Sequence, residues 1–281
     1  MKKKILTKEI ITDFCRFLCM EEKSKNTIEK YSRDVKTFAE YAENSVITKE
    51  LVIAYKNKLL SENYSVRSIN SMLASINSLF TFTGWENCRV KSIKIQRQIY
   101  CREDQELTKA EYVRLVKTAQ RNGNERLSLI LQTICATGIR VSELQYITVQ
   151  AVRQGEAIVS LKGKTRSVFI VNKLQKKLLN YIRKTGIKTG PVFRTRSGGL
   201  ISRTNIWREM KKLCVDAGVN SKKVFPHNLR HLFARLFYEI EKDIAKLADI
   251  LGHSSINTTR IYTITTSNEH RHHMESLHLI L

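Results

Sequence analysis

Apolar residues recur every three or four positions through the amino-terminal third of the chain, the spacing of one face of a helix. Two such stripes are made by Ile10, Ile11, Phe14, Phe17 and Leu18 and by Ile28, Tyr31, Val35, Phe38 and Tyr41. A third helical segment covers about residues 48–62, and a fourth runs from Ser65 to Gly84. Ser24 fits the cap of the second helix, and Gly84 fits the end of the fourth. The pattern predicts a small helical bundle.

The rest of the chain has a mixed pattern. Thr108 and Glu111 fit a capping box at the start of a helix, and an apolar helix covers about residues 127–136. The period changes across residues 157–171, where two short apolar runs flank Lys162-Gly163-Lys164-Thr165 and predict a β-hairpin with a basic turn. Helical spacing then returns. The predicted fold class is therefore mainly α with a small hairpin, in which a helical domain precedes an α+β domain.

Charge changes the picture more than composition does. Lys and Arg number 49 against 26 Asp and Glu, a net charge of +23. Residues 107–281 hold most of this excess, with 30 basic and 12 acidic side chains. The imbalance predicts a polyanionic partner, nucleic acid rather than a membrane. The chain has no apolar run of about 18 residues, and no apolar region follows the lysines at residues 2–4, so a cytoplasmic location is expected.

These patterns predict three parts. Residues 1–86 form a helical domain, residues 87–106 form a linker rich in Lys, Arg and Gln, and residues 107–281 form the basic second domain. The linker is expected to follow a phosphate backbone. The chain ends in a tail, about residues 266–281, with an apolar tip.

Candidate chemistry begins with arginine and lysine at two turns. Arg140 follows a predicted helix end, where its planar fork can hold a phosphate or pair with Glu143 at the surface. Lys162, Lys164 and Arg166 lie at the hairpin turn. A lysine there can give a proton to a leaving oxygen, or the turn can be a solvated basic loop.

Histidine and tyrosine supply the remaining candidates. His227 and Arg230 are three residues apart and share a helix face, whereas the neighbouring His231 fits the core equally well. A metal pair of His227 and His231 lacks an acidic third ligand. His253 follows a predicted helix end, where its ring can satisfy the last carbonyls, and Tyr262 is either a core residue or a hydroxyl nucleophile.

In this order the motifs supply the parts of phosphoryl transfer from a DNA backbone: cations for the non-bridging oxygens, a nucleophile and a proton donor. The order and spacing resemble the tyrosine recombinase (phage integrase) family, with a two-domain layout like that of the Xer-type bacterial recombinases. The resemblance is carried by Thr137-Gly138-Ile139-Arg140-Val141-Ser142-Glu143-Leu144, by His227-x-Leu229-Arg230-His231, and by Leu251-Gly252-His253 with Tyr262 nine residues later.

The resemblance implies a catalytic set. Its members are Arg140, Lys162, His227, Arg230, His253 and Tyr262. Tyr262 would attack the scissile phosphate and leave a 3′-phosphotyrosyl link and a free 5′-hydroxyl, the arginines would hold the phosphate, and the histidines would assist. Lys162 matches the general acid, but the hairpin is one residue shorter than the family pattern, so Lys164 stays the alternative. Glu143 is expected to brace the Arg140 segment. No metal and no cofactor are implied.

The implied partner is double-stranded DNA with inverted-repeat core sites, held in a C-shaped clamp of the two domains. Affinity is expected to come mostly from phosphate contacts and to depend strongly on salt. The tail is expected either to dock on a neighbouring protomer in a synaptic homotetramer or to fold on its own domain. Integration, inversion and resolution of DNA all fit.

Two other classes of DNA-binding protein are alternatives to a recombinase. A type IB-like topoisomerase would use the same chemistry as a monomer without a specific site, and the helical first domain and the apolar tail argue against it. A non-catalytic DNA-binding regulator would have lost the tyrosine or the arginines, which are all present.

Overall fold

The computed structural model describes residues 4–95, 105–161, 164–262 and 275–276, without the side chains of Leu161 and Lys164. Within these residues the chain is mostly helical with one antiparallel pair of strands, which confirms the predicted fold class. The chain divides into two compact units, Met1–Arg97 and Gln98–Leu281. No described helix is long and apolar enough to cross a membrane. The predicted domain boundaries and cytoplasmic location stay predictions, and the tail lies outside the described residues except for residues 275–276.

The first unit contains four α-helices in its described part: α1 (Lys8–Met20), α2 (Lys25–Ala42), α3 (Lys49–Ser61) and α4 (Val66–Thr83). Each begins after a residue whose side-chain hydroxyl accepts a hydrogen bond from a backbone N–H of the first turn. These capping residues are Thr7, Ser24, Thr48 and Ser65. The predicted cap at Ser24 and the predicted end of α4 at Gly84 are confirmed.

The apolar stripes of these helices meet in a core rich in aromatic rings. Phe38 and Phe80 are fully buried and pack edge to face, with ring centroids 6.1 Å apart. A buried carboxylate, Asp34 of α2, accepts a hydrogen bond from the Ser75 hydroxyl of α4 at 2.8 Å and pairs with Lys30. Because an unpaired buried charge is costly, these partners stabilise the packing of α2 on α4.

The residues that follow α4 fold back onto it. The amide of Asn77 donates to the Val90 carbonyl at 2.9 Å and accepts from the Val90 N–H at 3.2 Å. Asn70 brackets Ile93 in the same way, at 2.9 and 2.8 Å. The early part of the segment predicted as a linker, residues 87–106, is therefore fixed to the first unit.

The second unit is built around a central helix. Its elements are α5 (Lys109–Arg121), α6 (Glu125–Thr137), α7 (Val149–Gln154), β1 (Glu156–Leu161), β2 (Lys164–Phe169), α8 (Asn172–Thr185), α9 (Arg203–Ala217), α10 (Pro226–Glu241), α11 (Ile244–Leu251) and α12 (Ile256–Thr259). The capping box of Thr108 and Glu111 is confirmed. The central helix α6, with Leu131 and Ile134 fully buried, packs against α5, α8, α9 and α10.

Strands β1 and β2 confirm the predicted hairpin but change its turn. The register pairs Val159 with Arg166 and Leu161 with Lys164. Lys164 and Thr165, expected in the turn, therefore belong to β2, and a two-residue connection remains, the length that hairpins favour. That connection, residues 162–163, lies outside the described residues.

Asn77→Ala is expected to lower the free energy of unfolding by about 1–3 kcal/mol, because both backbone groups of Val90 lose partners where they are partly buried. Unfolding in urea is followed by the fluorescence of Trp85, in full-length chains where the other tryptophan, Trp207, is replaced by Phe. The matched control is Asn57→Ala at an exposed position of α3, with an effect within about 0.5 kcal/mol. Equal losses of unfolding free energy in both variants would show that the two hydrogen bonds of Asn77 with Val90 do not stabilise the unit.

Candidate active site

The buried guanidinium of Arg230 lies at the centre of the site. Helix α10 carries it into the interior, where the residue is 2% exposed. Its Nη1 donates to the Gly138 carbonyl and its Nη2 to the Leu251 carbonyl, both at 2.6 Å. These carbonyls stand at the ends of α6 and α11, where the negative end of the helix dipole favours a cation. Burial and the charge of Arg140 lower the pKa of Arg230 to about 10, so Arg230 stays charged at neutral pH.

His253 follows α11 and contacts this arginine. Arg230 Nη2 lies 3.0 Å from His253 Nε2, and His253 Nδ1 lies 2.9 Å from the buried hydroxyl of Thr259. A guanidinium only donates, so Nε2 accepts and the imidazole proton is on Nδ1, which donates to Thr259. Burial, together with the charges of Arg230 and Arg140, lowers the pKa of His253 to about 4. His253 is therefore neutral near pH 7.

Arg140 lies at the turn between α6 and a 3₁₀ helix, Val141–Tyr146. Its Nη1 donates to Glu143 Oε1 at 2.9 Å, and its Nη2 to the Gly252 carbonyl at 3.3 Å. The backbone N–H of Arg140 donates to Glu143 Oε2 at 2.9 Å, which confirms that Glu143 braces this segment. The Arg140 side chain is 39% exposed and remains accessible to a ligand.

A second arginine shares the same carboxylate. Arg166 of β2 donates from Nη1 to Glu143 Oε1 at 3.0 Å and from Nη2 to Oε2 at 2.6 Å. Its side chain crosses Gly252, where φ is +64° and a Cβ would lie 2.7 Å from Arg166 Cδ, so a larger residue would be strained and would clash. Burial raises the pKa of Glu143, but hydrogen bonds from Arg166 and Arg140 outweigh it and hold the pKa below its usual range.

Tyr262 lies in a pocket lined by imidazoles. The residue is 3% exposed. The ring centroid of Tyr262 is 4.4 Å from that of His231, 5.8 Å from that of His253 and 6.4 Å from that of His227. The nearby phenol of Tyr262 raises the pKa of the Arg230 guanidinium, against the larger effect of burial, which lowers it. The phenol and the buried cation therefore belong to one site.

His227 and His231 lie one helical turn apart on α10, with ring centroids 5.2 Å apart. Burial and the charges of Arg230, Arg140 and Arg203 lower the pKa of His227. Burial and the neighbouring His227 and Arg235 lower the pKa of His231 to about 4. Both rings are therefore neutral near pH 7. Within the described ranges, no three His, Cys, Asp or Glu side chains are grouped as metal ligands.

The structure brings most of the predicted site residues together. Those that line one pocket are Arg140, His227, Arg230, His253 and Tyr262. Lys162 lies outside the described residues, and the alternative Lys164 is placed on β2 by its backbone alone. The catalytic roles of all six residues stay predictions.

The sequence analysis did not assign three residues of this pocket, Arg166, His231 and Thr259. A signal for Arg166 was present, because alternation along β2 places it on the face that buries Val168 and Ile170. The sequence did not decide whether His231 belongs to the core or to the site. In the structure its ring packs on Tyr262, so it serves in both. Nothing local marks Thr259, whose partner is the ring of His253.

The mainly helical fold with its hairpin matches that of the tyrosine recombinases. A family model described as the phage integrase family matches residues 105–269, and one described as the phage integrase N-terminal SAM-like domain matches residues 11–87. The chain belongs to the phage integrase family, whose members are catalytic site-specific recombinases. The family and the enzyme class predicted from the motifs are confirmed.

Relatives match the chain over nearly its full length. Tyrosine recombinase XerA of Pyrococcus furiosus is 30% identical over 289 residues, which cover 100% of this chain and 98% of the relative. Tyrosine recombinase XerD of Staphylococcus haemolyticus is 27% identical, covering 96% and 98%. A crystal structure of XerA recombinase has a TM-score of 0.54 at 25% identity, covering 97% and 98%. A lambda integrase tetramer bound to a Holliday junction has a TM-score of 0.76 at 17% identity, covering 93% and 78%, and shows the fold alone.

His253→Asn is expected to make stability less dependent on pH between about 4 and 6.5. In that range the unfolded chain binds a proton on His253 and the folded chain does not, so stability falls as the pH falls from 6.5 towards 4. Asparagine does not titrate, and the slope becomes smaller. Denaturant unfolding of the unsubstituted protein and of the His253→Asn variant across this pH range measures the slope. Identical slopes would show that the folded site does not hold His253 neutral.

Proposed function

We propose that the chain is a site-specific DNA recombinase that cuts and rejoins duplex DNA through a 3′-phosphotyrosyl intermediate on Tyr262. The observation that supports this most is the packing of Tyr262 against His253, the imidazole that hydrogen-bonds the buried Arg230. A nucleophile, a cation for the phosphate and a proton acceptor are the groups that attack on a phosphodiester requires.

In the proposed cleavage step, the Tyr262 oxygen bonds to phosphorus while the bond from phosphorus to the 5′ oxygen breaks. The phenolic proton passes to a neutral imidazole, and the 5′ oxygen takes a proton from Lys162. Attack by a 5′-hydroxyl of the partner strand reverses the step and rejoins the DNA. The phosphotyrosyl link conserves the phosphodiester bond energy, so the proposal needs no cofactor.

The roles of the remaining residues follow from their contacts. Arg140 and Arg230 hold the non-bridging oxygens, because both guanidiniums lie in the same pocket as Tyr262. Both ring nitrogens of His253 are engaged, one by Arg230 and one by Thr259, which suits it to orient Arg230. Of the two histidines in the predicted catalytic set, His227 is then the one proposed to accept the proton of Tyr262.

The DNA substrate is proposed to carry inverted-repeat core sites. The helical bundle of residues 1–86 and the basic second part would both bind this duplex. A homotetramer on two sites, joined by the tail of residues 266–281, would exchange the strands. The support for this assembly is that the chain shares its fold with lambda integrase, which forms a tetramer bound to a Holliday junction.

The two other classes are not favoured. Relatives that match the whole chain are named tyrosine recombinases, not topoisomerases or regulators. A topoisomerase would relax supercoiled DNA without a specific sequence, and a regulator would form no covalent link. Selection of bound sequences from random duplexes, followed by a cleavage assay on the selected site, separates all three.

Tyr262→Phe is expected to abolish the covalent protein–DNA complex on a nicked suicide duplex that carries the selected site, with DNA binding unchanged. Only the hydroxyl attacks, and the phenylalanine ring fills the same pocket. Denaturing electrophoresis measures the complex, and Tyr238→Phe, a partly buried tyrosine of α10, is the matched control with normal cleavage. A covalent band from the Tyr262→Phe variant would exclude Tyr262 as the nucleophile.

Lys162→Ala is expected to slow cleavage severely when the leaving group is the 5′ oxygen, which needs a proton, and only weakly on a 5′-bridging phosphorothiolate. Sulfur departs without that proton, so it bypasses a missing general acid. Lys164→Ala is expected to cause a modest loss of binding that sulfur does not repair. Single-turnover cleavage rates on both duplexes decide between them, and the reverse pattern would make Lys164 the general acid.

A further inference from the structure

The carboxylate of Glu143 is fully buried and receives four hydrogen bonds from two arginines. Arg166 takes both oxygens through its two Nη atoms, the bidentate arrangement in which a guanidinium fits a carboxylate best. Arg140 reaches the same carboxylate with one Nη only, and its other contact is its backbone N–H. The stronger arrangement therefore belongs to the less exposed of the two arginines.

The exposures of the two side chains agree with this division. The Arg166 side chain is 15% exposed, whereas that of Arg140 is 39% exposed. Arg166 is also confined by its packing across the Cα of Gly252. Both its Nη groups donate to Glu143, and its Nε is buried without a hydrogen-bond partner among the described residues.

We propose that Arg166 is a positioning residue that keeps Arg140 available for the scissile phosphate by occupying the carboxylate of Glu143. The inference rests on the proposed function, in which Arg140 holds that phosphate. Arg166 itself does not touch the DNA. It acts by denying Glu143 the bidentate pairing with Arg140 that would turn this guanidinium away from the substrate.

Two effects follow from removing the Arg166 charge. Glu143 loses its two-point partner, and the nearest guanidinium, that of Arg140, can rotate to take both oxygens. The net charge of the site also changes. The site now has three described arginines, Arg140, Arg166 and Arg230, and one carboxylate, Glu143, which gives a net charge of +2. Without the Arg166 charge it would be +1. Both effects weaken the stabilisation of a phosphate that gains negative charge in the transition state.

Substrate charge separates this role from a merely structural one. In a methylphosphonate a neutral methyl group replaces one charged non-bridging oxygen, so the substrate depends less on the cations around it. A variant that has lost cation stabilisation therefore recovers on methylphosphonate. A variant that is partly unfolded is slowed equally on both substrates.

The test compares covalent-complex formation by full-length chains on two suicide duplexes that carry the selected site, one with a phosphate and one with a methylphosphonate at the cleavage position. Arg166→Gln is expected to slow cleavage about 100-fold on phosphate, and the defect should shrink to less than about tenfold on methylphosphonate. The matched control is Arg126→Gln, which breaks another arginine–carboxylate pair of this unit, that of Arg126 at the start of α6 with Glu209 of α9. Any defect of this control should be equal on both duplexes.

A double variant tests the route through Glu143. If unopposed Glu143 captures Arg140, then Arg166→Gln combined with Glu143→Gln should cleave phosphate faster than Arg166→Gln alone. A merely structural contribution would make the double variant slower or equal, and that result would overturn the proposal.

Arg140→Ala separates failure of the inference from failure of the proposed function. If its defect does not shrink on methylphosphonate, Arg140 does not hold the phosphate and the proposed clamp is wrong. If the Arg140→Ala defect shrinks and the Arg166→Gln defect does not, the clamp stands and the role assigned to Arg166 is wrong.

Discussion

The buried guanidinium of Arg230 is the constraint on which the site depends. A cation in the interior needs acceptors on its N–H groups, and the ends of α6 and α11 supply them through Gly138 and Leu251. These two helices must therefore end at the same place. The segments that follow them carry Arg140 and His253, so satisfying one buried charge also positions two further groups around it.

The charge at the site is balanced by very few anions among the described residues. Arg230 is bound by carbonyls and an imidazole, and Glu143 is shared between Arg140 and Arg166. Carbonyl groups satisfy hydrogen bonds but do not neutralise the cation, so positive charge remains at the pocket that holds Tyr262. Burial, together with these charges, lowers the pKa values of His227 and His253 and keeps both imidazoles neutral near pH 7. Burial and charge thus act together to leave a positively charged pocket with neutral imidazoles.

Much of the fold was predictable because its signals are local. Caps at Ser24 and Thr108 and the helix end at Gly84 depend on contacts within a few residues, and the structure confirms all three. The hairpin was predicted from two short apolar runs around a basic turn, but its turn was assigned too long. Lys164 and Thr165 are polar residues whose strand conformation depends on the pairing with β1, which a polar pattern does not reveal.

The sequence by itself determined the helical first part, the hairpin, the basic second part and the set of motifs that resembles the tyrosine recombinases. Only the tertiary structure decided which group each arginine contacts. Arg230 reaches a carbonyl 92 residues away, and Arg140 reaches one 112 residues away, because helices distant in sequence end side by side. Backbone carbonyls are chemically alike at every helix end, so no residue type marks the ones that become ligands. Glu143 is shared by Arg140 and Arg166 because β2 packs beside the turn after α6. Periodicity and composition do not show that these two segments lie side by side.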